Sequence, residues 1–174
     1  MGSPRSYRIA EISWTPSTTF STNSNGSCRI DDRTERRIVE KAEYVGAAVS
    51  LLAEKRDSIS FDTYRTDREQ RDVVEREFET AIEACIDIGE MVLGATNLDV
   101  PETNAGVFHE LGNRSMIDAA IAERMAQAAG FRNVLSHRYG NEIDDRHVYN
   151  FLQEELPLFR IYLEEVRSLL DRSA

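Results

Sequence analysis

Four side chains able to handle charge and protons lie close together in the stretch GFRNVLSHRYG, residues 130 to 140: Arg132, Asn133, His137 and Tyr139. An imidazole with an unperturbed pKa near ~6.5 takes up and releases protons around neutrality. A guanidinium fork holds the charge on phosphate oxygens. Asn133 precedes His137 by one helical turn, a spacing that suits orienting the imidazole or a bound oxygen. The same residues also suit an ordinary helix end. Cations in a last turn oppose the helix dipole, and Gly140 is well placed as a stop. Spacing alone favours that plainer reading.

On a helix advancing ~100° per residue, with Arg132 at 0°, Asn133 falls near ~100°, His137 near ~140° and Tyr139 near ~−20°. Phe131, Val134 and Leu135 fall near ~260°, ~200° and ~300°. The polar set is therefore expected to face outward, into a groove or towards a partner. The apolar set is expected to face the core.

The elements that must carry this stretch are helical. Ile38, Ala42, Val45, Val49 and Leu52 recur at three- and four-residue steps, predicting an amphipathic helix over about 31–56. DSISFDTYRTD reads as a polar connector with one aromatic anchor, Phe61. A second helix starts at Thr66 or Asp67, carries Val74, Phe78, Ala81, Ile82, Cys85, Ile88 and Val92, and ends at Gly94. Pro101 bars a helix through the loop that follows, and VFHELGNR is a short helical turn. Ser115 and Asp118 resemble a capping box opening a third long helix over about 116–139. The last helix starts at Asp144 or Asp145, and Pro157 must kink or split it. With no sustained strand alternation, the expected fold is all-α: an antiparallel bundle of four main helices with a short extra helical turn.

Composition narrows the classes. The chain has 174 residues, 41% hydrophobic, enough for one packed core. No apolar run approaches the ~20 residues of a membrane span, and no signal peptide is evident, so a cytoplasmic protein is expected. Residues 1–29 read as a flexible polar leader and 30–174 as the helical domain. The net charge of −10 argues against a broad nucleic-acid-binding surface but leaves room for a local basic groove. Arg65, Arg68 and Arg71 could rim such a groove or simply start a solvated helix. Cys28 and Cys85 make neither a disulfide framework nor a zinc site, and Cys85 reads as a small buried residue. Glu75, Glu79, Glu83 and Asp87 recur every four residues without the Glu-x-x-His pairs of di-iron bundles, so they read as a solvated or salt-bridged face. His109 and His147 read as loop or helix-start residues rather than ligands.

FRNVLSHRYGNEIDDRHVY resembles the C-terminal motif of HEPN-domain proteins, especially the HepT branch, the toxin half of HepT–MntA toxin–antitoxin pairs. That motif is Arg, four residues, His, one residue, Tyr, met here by Arg132, His137 and Tyr139, with Asn133 as the polar residue after the arginine. RTDREQRDVVEREFETAIEACIDIGEMVL resembles the family's second helix. The resemblance covers about 31–170. It implies RNA cleavage by the substrate's own 2′-hydroxyl, with neither metal nor cofactor. Arg132 and His137 would be the catalytic residues, with Asn133 and Asp87 in support. It further implies a homodimer in which two motifs meet across a cleft. The partner would be a nucleotidyltransferase antitoxin that attaches AMP to Tyr139. The alternative within the same family is a non-catalytic subunit that binds nucleotide or substrate for a nucleotidyltransferase.

Overall fold

The computed structural model describes residues 30–136 and 144–173. Among these residues every regular element is a helix: α1 (Asp32–Ser58), α2 (Phe61–Thr66), α3 (Arg68–Ala95), α4 (Asn104–Asn113), α5 (Ala119–Ser136), α6 (Asp145–Glu154) and α7 (Leu156–Ser173). Side-chain caps open most of them. Asp31 accepts from the N–H groups of Arg33 and Thr34 at 3.0 Å, Asp67 from Glu69 at 3.0 Å, and Asp144 from Arg146 at 2.9 Å. Each cap satisfies donors that the first helical turn leaves free.

The expected apolar stripes are the buried ones: Ile38, Ala42, Val45, Val49 and Leu52 on α1, and Val74 through Val92 on α3. Cross-contacts give the direction of the pair. Lys41 meets Asp87 and Lys55 meets Gln70, so rising numbers on α1 face falling numbers on α3, and the two helices are antiparallel. Arg124 meets Glu155 and Phe131 meets Phe151, which sets α5 antiparallel to the α6–α7 arm. α3 is the central helix, touching α1, α2, α4 and α5. A Cβ added at Gly89 would lie 2.6 Å from Val107 Cγ1, so glycine is what lets α4 approach α3 this closely.

Four local expectations are corrected. The connector after α1 holds the short helix α2, and its buried anchor is Tyr64, fully inaccessible, rather than the half-buried Phe61. α3 runs past Gly94; Asn97, at φ 55°, turns the chain while Leu98 N–H reaches back to Leu93 O. α4 is a ten-residue helix rather than a turn. It ends in the same way, with Ser115 at φ 55° and Met116 N–H on Leu111 O. Ser115 thus closes α4 and does not open α5; Asp118 caps α5 by accepting from Ala120 at 2.8 Å. Pro157 does split the last helix, and Glu155 stands at the break between α6 and α7. Among the described residues, no helix is long and apolar enough to cross a membrane.

Candidate active site

The last turns of α5 are fixed by an aromatic cluster. Phe131 stacks on Phe151 with ring centroids 4.4 Å apart and planes 18° off parallel. Phe78 of α3 meets both rings edge-on, at 5.8 Å from Phe131 and 5.2 Å from Phe151. Such contacts add to the area the rings bury and set their orientation. With Phe131 held, the next side chain is directed at α3: Arg132 Nη2 lies 3.0 Å from Glu83 Oε2.

Arg132 therefore points into the groove between α5 and α3, one of the expected outcomes, but is half-buried there rather than free on the surface. Its side chain is 29% exposed, and its Nε is buried with no hydrogen-bond partner among the described residues. The cause lies in the composition of α5. Ala122, Met125, Ala126, Ala128, Ala129, Phe131 and Leu135 are all buried, a wide arc made possible by small side chains against which α3 and α4 both pack. On the wheel Met125 and Ala128 flank the Arg132 direction. Val134, expected towards the core, lies opposite that arc and is 54% exposed. Asn133 is exposed, as expected. His137 and Tyr139 lie outside the described residues, as do Gly140, Cys28 and the 1–29 segment.

Arg132 opens into a cleft of about 420 Å³ between α1, α3 and α5, also lined by Lys41, Tyr44, Arg76, Glu79, Glu83 and Asp87. Arg132 and Asp87 thus share one cleft, although 45 positions separate them in sequence. Lys41 Nζ donates to Asp87 Oδ2 across the α1–α3 seam. Arg76 Nη1 stands 3.9 Å from Glu79 Oε2. Among the described residues, the cleft's three cations are matched by three acids. The acidic stripe of α3 is accordingly a salt-bridged face. At its start, the buried Glu75 accepts from Tyr64 Oη at 3.2 Å and lies 3.9 Å from Arg71 Nε. Burial, with Glu75 alongside, pushes the Tyr64 phenol well above its ordinary range.

Arg65 on α2 and Arg68 and Arg71 at the start of α3 do not form a free basic rim. Arg65 lies 3.3 Å from Asp62, Arg68 3.4 Å from Asp72, and Arg71 3.9 Å from Asp145. His109 is an exposed partner of Glu123 at 3.7 Å, and His147 lies edge-on to Phe131. Cys85 is buried, and burial raises its thiol pKa.

Sequence reasoning missed Tyr44 and gave Glu83 no role of its own. Tyr44 left a signal, an aromatic residue one place before the buried Val45 and off the apolar stripe of α1. Glu83 left only its place in the acidic run, because its partner lies on another helix.

The family model described as "Ribonuclease HepT-like" matches residues 45–166. The chain belongs to the HepT-like ribonuclease family. It is 29% identical over 133 residues to the tRNA nuclease HepT of Aphanizomenon flos-aquae (strain 2012/KM1/D3), covering 76% of this chain and 89% of that protein. The fold is shared with the tri-AMPylated HEPN toxin of Shewanella oneidensis, solved in complex with its MNT antitoxin. That match has a TM-score of 0.71 and 20% identity over 76% of this chain and 97% of the toxin. It is shared also with the cytosolic protein YutE of Bacillus subtilis, at TM-score 0.68 and 14% identity, over 83% of this chain and 94% of YutE. The family's activity is RNA cleavage, and the chain is a ribonuclease of this class.

Proposed function

We propose that this chain is the toxin of a cytoplasmic toxin–antitoxin pair. It cleaves RNA without metal at a site built from Arg132 and His137 and shared between two copies of the chain. The observation that carries this reading is the position of Arg132, half-buried at the mouth of a nucleotide-sized cleft and five residues ahead of His137. The 2′-oxygen of the substrate forms a bond to phosphorus as the P–O5′ bond breaks. The 2′-hydroxyl proton passes to a base, and the departing 5′-oxygen takes a proton from the His137 imidazolium. Arg132 holds the charge that builds on the non-bridging oxygens. The products are a 2′,3′-cyclic phosphate and a 5′-hydroxyl. A symmetric dimer would supply a second histidine to act as the base.

The relative from Aphanizomenon is a tRNA nuclease, so tRNA is the first substrate to test. Purified wild type should cut tRNA in EDTA and leave ends that T4 polynucleotide kinase labels directly at the 5′ side. His137→Ala should lose cleavage by at least ~100-fold with an unchanged circular dichroism spectrum. Cleavage lost on chelation and restored by Mg²⁺, or 5′-phosphate ends, would overturn the mechanism.

A further inference from the structure

We propose that Tyr44 is a base-stacking platform in the α1–α3–α5 cleft, receiving a nucleobase of the RNA whose phosphate Arg132 holds; this rests on the reading that the cleft takes the substrate. Tyr44 is 63% exposed, one of three large hydrophobic residues so exposed among the described residues, with Val100 and Val134. An isolated exposed hydrophobic residue needs no explanation. What distinguishes Tyr44 is that it lines the same cleft as Arg132, together with Lys41 one turn before it on α1 and Arg76 across on α3. Its ring pairs with no other aromatic ring among the described residues, and most of its surface is exposed at the cleft. The other rings of the fold, such as Phe78, Phe108 and Tyr162, are committed to the core.

Charge makes the ring more important. Lys41 is tied to Asp87, Arg132 to Glu83, and Arg76 stands near Glu79. Among the described residues the cleft's charges balance, and the whole chain carries −10. Nucleic-acid affinity ordinarily comes first from phosphate neutralisation, and the described residues of the cleft leave little unpaired positive charge to supply it. Base–aromatic stacking does not depend on that balance and tolerates any base, because every base has a π-face. A cleft of about 420 Å³ falls within the roughly 300–1,000 Å³ range of sites for small organic ligands, and so suits a single nucleotide.

The test is steady-state cleavage of a short RNA spanning a site that wild type cuts, alongside sedimentation velocity. Tyr44→Ala should raise KM about tenfold, within the range base stacking covers, with kcat within about twofold. Tyr44→Phe should behave as wild type. In a series of substrates with one abasic position each, one position should bring wild type and Tyr44→Ala to the same KM. An unchanged KM for Tyr44→Ala would overturn the proposal while leaving the ribonuclease reading intact. So would equal damage from Tyr44→Phe, which points to the hydroxyl, or an oligomer that falls apart in Tyr44→Ala, which points to a contact between copies. A wild-type protein that cleaves no RNA would remove the functional reading and this proposal together.

Discussion

Glu83 on α3 holds the guanidinium of Arg132 on α5 at 3.0 Å, so the cation proposed to act on the RNA phosphate already has a carboxylate for a partner. The two side chains are 29% and 48% exposed, so the pair is partly solvated and its strength modest, about 0.2–1 kcal/mol. A scissile phosphate must displace or share it. Glu83→Gln keeps a hydrogen-bond acceptor and removes the competing charge. KM for RNA should therefore fall by about two- to fivefold, with kcat within a factor of about two. Arg132→Ala should lower kcat/KM by about 100-fold or more, the scale of losing one donor to a developing oxyanion. Arg132→Lys should recover only part of that, because an ammonium lacks the planar fork. A fall in kcat for Glu83→Gln would show instead that the carboxylate positions the arginine during turnover.

Stability should fall steeply in alkali. Tyr64, Cys85 and Tyr162 are buried, and burial raises all three pKa values above their ordinary values. Tyr162 Oη also donates to the backbone carbonyl of Cys85 at 3.0 Å, which holds the phenol in the buried interior beside that residue. In the unfolded chain these groups lose their protons at ordinary pH values, while the folded chain keeps them. The unfolded state then binds fewer protons, so unfolding free energy decreases as pH rises. The stabilising contribution is whole below about pH 8 and is lost above pH 9–10, at up to about 1.4 kcal/mol per pH unit for each group. Urea titrations between pH 7 and 11 measure the slope, and Tyr64→Phe or Cys85→Ala should each flatten it by about one proton. A slope that neither substitution changes would place the alkaline loss elsewhere.

Helix existence and order were readable in the sequence because the apolar periods of α1 and α3 are long and capped by Asp31 and Asp67. The loops were less so, because two helix ends turn on the non-glycine residues Asn97 and Ser115, whose positive φ is closed by local backbone hydrogen bonds from Leu98 to Leu93 and from Met116 to Leu111, a weaker signal in sequence than a glycine. The motif was legible, and so was the placing of Arg132 in a groove, but its degree of burial was not. Its half-burial depends on how wide an arc the alanines of α5 cover, and an alanine is compatible with either side of a helix. Glu83 was visible only as one acid in a periodic run; that it meets Arg132 follows from the α3–α5 packing, which no local pattern encodes.

The proposed control of this enzyme acts on Tyr139. That residue follows Arg132 by seven positions, close to two helical turns, in the same motif. Transfer of AMP from ATP would join the tyrosine oxygen to the α-phosphorus and release pyrophosphate, leaving a bulky anionic ester on the chain. The ester phosphate would compete for the Arg132 guanidinium as the RNA phosphate does, and the nucleoside would occupy space the substrate needs. Arg132 is already shared with Glu83, so an anion covalently held nearby would compete at a high effective concentration. Tyr139→Phe should therefore keep the wild-type melting temperature and at least part of its cleavage activity, and should stay active when the nucleotidyltransferase partner and ATP are added. Intact-mass spectrometry should show adenylyl additions on wild type and none on Tyr139→Phe. An adduct at another residue, or equal silencing of Tyr139→Phe by the partner, would mean that inhibition works by another route and that Tyr139 serves the site only as a side chain.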